Sequence, residues 1–198
     1  MKTTSLLALL SVASLASIAP VQAAGPWSVR VAATYLQTTD GTSNKAVQVD
    51  VEDKLIPELD VSYAFNSHWS ADLVLTIPQE HEVKVNGTKV GTFKHLPPTL
   101  LAKYNFSPVG GFTPYLGAGV NFTLIFDDNL LGGFAKLDNY SIGPAGQAGF
   151  DYKLNERWSL NVDVKRVMLR TDVKVGPATL TEARLDPWLY SLGLRYQF

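Results

Sequence analysis

The chain of 198 residues carries 17 lysines and arginines against 18 aspartates and glutamates, a formal net charge of −1. This balance excludes a basic surface that would bind nucleic acid through its phosphates. The absence of cysteine from the sequence also excludes a disulfide framework and a thiolate metal site.

The first 23 residues have the features of a secretory signal. Lys2 supplies a positive charge, residues 6–19 are a run of apolar and small residues, and short side chains precede Ala23. This run is too short for a membrane-spanning helix, which argues against an uncleaved anchor. The sequence therefore predicts an exported protein with a signal peptide at residues 1–23, cut after Ala23, and one domain at residues 24–198.

Beyond this signal, eight stretches alternate between apolar residues and mostly polar or small ones, which places the two sets on opposite faces of a strand. In chain order they are residues 27–35, 58–65, 69–77, 99–106, 114–126, 140–154, 158 to about 173, and 188–198. Bacterial barrels have an even number of strands. The sequence thus predicts an all-β fold, an eight-stranded antiparallel transmembrane β-barrel in the outer membrane of a Gram-negative bacterium.

The last stretch shows the pattern most clearly. Its apolar row carries aromatic residues at both ends and consists of Trp188, Tyr190, Leu192, Leu194, Tyr196 and Phe198. Eleven residues at about 3.3 Å each, tilted by about 40°, rise roughly 28 Å, close to the ~25 Å apolar band of such barrels. We also expect the outer-membrane insertion machinery to recognise the terminal Phe198.

The connections alternate in length. Residues 66–68, 107–113 and 155–157 are short, whereas residues 37–54, 79–94, 127–139 and 174–184 are long. Short turns on the periplasmic side and long loops outside are typical of outer-membrane barrels. Within the second long loop, residues 83–90 predict a small hairpin that turns on Asn86-Gly87.

Charged residues concentrate on the inward rows. These residues are Arg30, Glu58, Asp60, Asp72, Lys103, Asp151, Asp163, Lys165 and Arg195. An eight-stranded interior is barely wider than its own side chains, so the charges either pair into a closed plug or form a charged constriction. The apolar inward residues Val74, Leu101 and Leu189 either line a hydrophobic path or fill the interior.

Prolines cluster near the predicted outer rim, at Pro57, Pro78, Pro97, Pro98, Pro144 and Pro187. Proline donates no ladder hydrogen bond and is normally kept to edges, strand starts and bulges. One interpretation is simple positioning of strand starts above the bilayer. The other is a gap near Pro78, Pro97 and Pro98 through which an apolar solute leaves sideways into lipid.

No constellation in the sequence indicates an enzyme or a cofactor. Its three histidines have no metal-ligand spacing, and no nucleophile elbow accompanies the serines. His95 with Asp186, both near the predicted outer rim, is the one pair with any catalytic potential. We expect no catalytic residues, no metal and no cofactor.

Arg166 falls on the nominal lipid face, which places it at the outer interface unless a bulge turns it inward.

Four short motifs lead to a family. They are residues 95–100 (HLPPTL), 114–121 (PYLGAGVN), 143–149 (GPAGQAG) and 186–188 (DPW). In this order and spacing they resemble the OmpW family of small outer-membrane proteins over nearly the whole mature chain. The resemblance implies a monomeric eight-stranded barrel with a narrow, largely apolar channel for small hydrophobic molecules. Lys165 and Arg166 depart from the apolar character expected at mid-strand.

Three hypotheses for function follow. The first is a passive channel for small hydrophobic or amphipathic solutes, which the resemblance favours. The second is a structural or adhesive barrel, plugged by its charges, whose long loops bind partners. The third is a narrow pore for small polar solutes. The balanced lumen charges and Lys165 favour the latter two. The expected partners are the lipid bilayer and the solutes themselves.

Overall fold

Nearly all of the chain with a described conformation is β-strand. The computed structural model describes residues 25–38, 41–42, 49–85, 88–134, 136–175 and 178–198, so the predicted signal peptide and the Asn86-Gly87 turn lie outside the described residues. The strands are β1 (Trp27–Gln37), β2 (Gly41–Thr42), β3 (Val49–Val51), β4 (Lys54–Ala64), β5 (Trp69–Thr76), β6 (Gln79–Val85), β7 (Thr88–Leu96), β8 (Thr99–Asn105), β9 (Phe112–Leu130), β10 (Lys136–Leu137), β11 (Tyr140–Lys153), β12 (Trp158–Val167), β13 (Arg170–Val175), β14 (Ala178–Arg184) and β15 (Trp188–Gln197), with a 3-10 turn at Leu131–Gly133. No helix in these ranges is long and apolar enough to cross a membrane.

Eight of these strands form a closed barrel. Each pairs antiparallel with the next in the order β1-β4-β5-β8-β9-β11-β12-β15, and β15 pairs with β1 to close the wall. The eight wall strands coincide with the eight alternating stretches, so the predicted eight-stranded antiparallel barrel is confirmed. Gly25, Phe198 and the short turns lie at one end, called here the lower end, and the longer connections lie at the upper end.

The seventh wall strand is shorter than predicted. It ends at Val167, not near residue 173, and residues 170–175 belong instead to a separate four-stranded sheet of order β10-β13-β14-β2. The physical reason lies in the partner strand. The Val167 amide donates to the Pro187 carbonyl oxygen at 3.2 Å, and Pro187 has no N–H to continue the ladder upward.

The long connections extend the barrel upward as strands. The hairpin in the second connection spans Gln79–Val85 and Thr88–Leu96, larger than the predicted hairpin of residues 83–90. β7 also pairs with the upper part of β9, from Leu96 opposite Leu124 to Gly91 opposite Leu130. Inside this upper extension lies an apolar core of Val83, Phe93, Ile125, Leu130, Leu137, Leu169 and Leu185.

The outer face of the barrel is apolar and is bounded by aromatic rings. Neighbouring strands pair rings at the lower end, with centroid distances between 4.7 and 5.1 Å, in the pairs Trp27–Tyr63, Trp69–Tyr104, Phe112–Tyr152 and Trp158–Tyr196. At the upper end, Tyr35 lies opposite Tyr190. Two aromatic girdles flanking an apolar band are what a barrel in lipid presents to the two interfaces.

A glycine makes room for the largest aromatic side chain of the interior. Gly149 of β11 lies opposite Tyr115 of β9 in the register. A Cβ at position 149 would lie 2.5 Å from the Val162 carbonyl oxygen and 2.7 Å from the Tyr115 hydroxyl oxygen. Tyr115 is therefore buried, at 1% exposure, because its neighbour has no side chain.

We expect Gly149→Ala to lower the free energy of unfolding by about 1–3 kcal/mol, since overpacking a filled interior forces backbone shifts. The measurement is urea unfolding of the purified barrel in lipid vesicles. Gly146→Ala is the matched control on the same strand, because a Cβ there meets nothing nearer than 4.0 Å. Equal stability of the two variants would contradict the packing argument.

Candidate functional site

The barrel interior is filled by charged side chains. The structure places the sequence-predicted residues Asp72, Lys103, Asp163, Lys165 and Arg195 inside the wall, each at most 7% exposed. Arg30, Glu58 and Asp60 lie with them and are equally buried. The inward alternation of the strands brings together charges that are up to 133 residues apart in sequence.

Arg30 is the centre of this network. Its guanidinium group donates to Asp60 Oδ2 at 2.6 Å from Nε and to Asp163 Oδ2 at 2.9 Å from Nη1. It also forms an ion pair with Glu58. Lys165 completes the cluster, with Nζ at 2.7 Å from Glu58 Oε1 and 2.8 Å from Asp163 Oδ1. Two cations thus neutralise most of the charge of three carboxylates in a space with no exposure to solvent.

A second cluster lies on the lower side. Lys103 Nζ is 2.9 Å from Asp72 Oδ2 and 4.6 Å from the centre of the Tyr115 ring. Arg195 Nε is 3.2 Å from Asp151 Oδ1, and its Nη1 donates to Ser62 Oγ at 2.7 Å. Such contacts are required here, because an unpaired buried charge costs several kcal/mol.

The acidic residues of the network offer the one candidate metal site in the described part of the chain. Oxygen atoms of Glu58, Asp60 and Asp163 lie within 4.8 Å of one another. Arg30 contacts all three carboxylates, however. The guanidinium group already supplies the positive charge that a metal ion would bring, so the residues do not fit a metal.

An apolar layer covers the charge network. It consists of Val74, Leu101, Ala145, Val167 and Leu189, which form one buried cluster. Each member lies two residues above a polar lumen residue on the same strand; for example, Val74 follows Asp72 and Leu101 precedes Lys103 on its descending strand. The predicted lumen residues Val74, Leu101 and Leu189 therefore meet in one buried apolar cluster above the charges.

A cleft opens directly above this layer. It has about 240 Å³ of empty space, including space open to solvent, and its lining consists of Leu36, Thr38, His81, Phe93, His95, Leu169, Leu185 and Pro187. Most of these residues are apolar, and several also belong to the core of the upper extension. None of these is among the lumen residues that the sequence predicts, although the sequence places His95 and Pro187 near the outer rim.

The structure gives His95 and Asp186 different partners. The His95 ring stacks on His81, with centroids 4.8 Å apart. Asp186 accepts a hydrogen bond from the Leu169 amide at 3.1 Å. The catalytic role considered for this pair therefore has no support in these contacts.

The prolines stand where the ladders of the wall end. The β4–β5 ladder ends at Glu58 opposite Thr76, next to Pro57, and the β12–β15 ladder ends beside Pro187. The β11–β12 ladder ends beside Pro144, at Ala145 opposite Val167. These positions agree with the loss of a ladder donor at each proline.

The largest interruption lies between β5 and β8, at Pro78, Pro97 and Pro98. Their ladder ends at Val74 opposite Thr99, and the β6–β7 ladder begins at Gln79 opposite His95. Between these pairs lie four residues on the ascending chain, 75–78, and three on the descending chain, 96–98. The Pro97 and Pro98 carbonyl oxygens accept from Asn121 Nδ2, at 3.2 and 3.3 Å. The two chains thus differ by one residue across the break, and its three prolines lack backbone N–H donors.

Arg166 lies on the outer face, near the upper girdle. Its guanidinium carbon is 4.7 Å from the centre of the Trp188 ring, and the register through Arg166 is regular on both sides. Of the two positions considered, the structure thus has the outer interface and no inward bulge. Lys165, its neighbour, points into the charge network.

Comparison with known proteins agrees with this architecture. The family model described as "OmpW family" matches residues 21–198. The chain belongs to the OmpW family. It is 41% identical over 184 residues to the "Uncharacterized outer-membrane protein y4mB" of Sinorhizobium fredii, covering 87% of this chain and 80% of that protein. The resemblance seen in the sequence motifs is therefore confirmed.

Two further similarities bear on the site. The crystal structure of the outer membrane protein OprG from Pseudomonas aeruginosa superposes with a TM-score of 0.78 at 31% identity, covering 88% of this chain and 96% of that one. The "Dibenzothiophene metabolism operon protein PahQ" of Pseudomonas aeruginosa is 29% identical to this chain over 189 residues. The alignment covers 87% of this chain and 89% of PahQ. This OmpW-family barrel is an outer-membrane protein, and its short turns accordingly face the periplasm.

We expect Arg30→Met to lower the free energy of unfolding by about 3–5 kcal/mol, because it leaves buried carboxylates without their cation. Urea unfolding in lipid vesicles measures this. Lys153→Met is the control, since the Lys153–Glu156 pair is exposed and worth under about 1 kcal/mol. Arg30→Met combined with Glu58→Gln and Asp60→Asn should recover part of the loss. A loss that is equal for Arg30→Met and Lys153→Met would contradict the role of the network.

Proposed function

We propose that this barrel is a passive entry route for small hydrophobic or amphipathic molecules. A solute enters the cleft from outside the cell, passes no further down the barrel, and leaves sideways into the outer membrane between β5 and β8. The observation that carries the proposal is an apolar cleft that ends on a sealed layer beside an unpaired stretch of wall. The route needs no cofactor and no energy source.

The lining of the cleft supports an apolar solute. Leu36, Phe93, Leu169 and Leu185 offer aliphatic and aromatic contact surface. The cavity itself is about 20 Å³, room for about one water molecule, so a solute enters only as the side chains of the lining move apart. Transfer of apolar surface from water to such a lining is favourable at about 25 cal/mol per Å².

The interior below the cleft supports a sideways exit. A solute that continued downward would have to separate the apolar layer and then the clusters of Arg30 and Arg195. Breaking such buried pairs costs several kcal/mol. The same argument disfavours the narrow pore for small polar solutes, because the paired charges leave no continuous polar path among the described residues.

The wall beside the cleft supports an opening toward lipid. His95, which lines the cleft, lies two residues above Pro97 on the same chain, and Pro78 directly precedes Gln79, the ladder partner of His95. Ile77 and Pro78 are exposed on the outer face. A solute that moves between residues 75–78 and 96–98 has few backbone hydrogen bonds to break, which lowers the barrier relative to an intact ladder.

The name of one relative, PahQ, also supports an apolar solute. PahQ carries the name of a dibenzothiophene metabolism operon, and dibenzothiophene is an apolar aromatic molecule.

The alternative function is the plugged barrel whose upper extension binds a partner. The sealed lumen favours it, and a lack of solute uptake would distinguish it from the entry route.

Two further parts of the proposal concern assembly. A closed wall has no free strand edge, so the barrel acts as a monomer. Phe198, whose ring packs against Tyr196 at 5.1 Å in the lower girdle, serves as the signal for the insertion machinery.

We expect cells that produce this barrel to take up a small apolar tracer faster than otherwise identical cells without it. A polar tracer of equal size should enter both at the same rate, because the lumen is sealed by paired charges and apolar side chains. The measurement is the initial rate of intracellular accumulation. Faster polar entry would contradict the proposal, and no change in either tracer would favour the plugged barrel.

We expect the double substitution Pro97→Val and Pro98→Val to slow apolar uptake severalfold. Two new N–H donors can then pair with the residues opposite and close the break in the wall. The control is Pro114→Val, in the lower wall, where Pro114 is exposed and paired with Phe150. Unchanged uptake by a folded double variant would exclude the exit between β5 and β8.

A further inference from the structure

Two histidines form a stacked pair in the cleft. His81 of β6 is 1% exposed and His95 of β7 is 5% exposed. Their rings are parallel within 26°, and the His81 ring also stacks on Phe93 at 5.7 Å. Both residues belong to the upper extension, above the wall strands that cross the membrane.

The hydrogen bonding of His81 fixes its tautomer. Its Nδ1 is 3.2 Å from the Glu52 carbonyl oxygen, which can only accept, so Nδ1 carries the hydrogen. Burial, with a smaller contribution from Lys54, lowers the pKa of His81 to about 4. Burial and the neighbouring His81 lower the pKa of His95 to about 3. Both rings are therefore neutral at pH 7, and Nε2 of His81 is a hydrogen-bond acceptor.

The acceptor nitrogen has no hydrogen-bond partner in the part of the chain that the structure describes. His81 Nε2 and His95 Nδ1 are buried, and neither has a hydrogen-bond partner among the described residues. Buried polar atoms without partners are rare in folded proteins, so such an atom in the lining of a cleft indicates a group that arrives from outside. The rest of the lining is mostly apolar; its other donors are Thr38, which has contacts of its own, and the imidazole of His95, which makes no hydrogen bond to His81 Nε2.

A metal ion is a poor match for this pair. Zinc sites use three or four protein ligands, whereas the cleft lining supplies two imidazoles and no carboxylate or thiolate. The one group of three potential ligands in the described residues lies in the charge network and is held by Arg30. A neutral ligand with a hydrogen to donate fits the observed acceptor better.

We propose that His81 Nε2 accepts a hydrogen bond from the hydroxyl group of an otherwise apolar solute, so that the cleft prefers small phenols and alcohols over hydrocarbons of the same size. His95 and Phe93 hold the imidazole ring in place by stacking. The inference rests on the proposed function and names the substrate class of its cleft.

The experiment compares p-cresol with p-xylene, in which a methyl group replaces the hydroxyl. Dissociation constants are measured by NMR titration of the purified barrel in detergent micelles, with empty micelles subtracted. His81→Phe keeps an aromatic ring for stacking and removes the acceptor. We expect it to weaken p-cresol binding about three- to tenfold, the loss of one hydrogen bond, and to leave p-xylene binding within about twofold.

Two variants control the result. His68→Phe makes the same change in a lower turn, where His68 stacks on Tyr104 at 5.7 Å, and should alter neither affinity. His81→Gln retains an acceptor oxygen and should retain much of the preference for p-cresol. Heat-modifiable migration on a gel establishes that each variant is folded, and the Gln variant keeps the test informative if the Phe variant misfolds.

The outcomes separate this inference from the proposed function. If the wild-type barrel binds neither molecule, the proposed function itself is wrong. If it binds both and His81→Phe changes neither affinity, or weakens both equally, the hydroxyl preference is wrong and the apolar entry route stands.

Discussion

The rest of the structure depends on the buried ion-pair network around Arg30. A barrel of eight strands must fill its interior, and this chain fills it with charges that are stable only when paired. The pairing closes the lumen, and an apolar layer above the charges closes it again. On the proposed route, a solute that enters from outside meets this closed layer and leaves through the wall. The network thus directs a solute on that route toward the wall without contacting it.

The prolines complement this network at the upper rim. In lipid, each backbone N–H and C=O group needs an internal partner, so a ladder cannot simply stop within the bilayer. Proline brings no N–H, which lets the ladders end beside Pro57, Pro187 and the Pro97-Pro98 pair without leaving a donor exposed. The wall is consequently paired continuously where charges fill the barrel and interrupted beside the cleft.

The period-2 alternation was sufficient to predict the eight wall strands and which residues face inward, because one face is in lipid along most of each strand. The position of the seventh strand end was not predictable from alternation, since it depends on Pro187 in a partner strand. Alternation also predicts that Arg30 and Asp163 face the lumen. It does not predict their contact, because the contact depends on the stagger between strands that are distant in sequence. His81 was missed because it lies beyond a break in the alternation, in a stretch interpreted as a loop.

The unequal break between β5 and β8 has a consequence for chain length. Below it, the inward residues of the ascending chain are even-numbered, Asp72 and Val74; above it they are odd-numbered, His81 and Val83. The single extra residue in 75–78 causes this change of face. A deletion of one residue there would leave three residues on each chain, so the ladder could continue evenly from Val74 to Gln79 with His81 still facing the cleft. The chain length at this point therefore sets how evenly the wall pairs beside the cleft, while the side chains that face a solute stay the same.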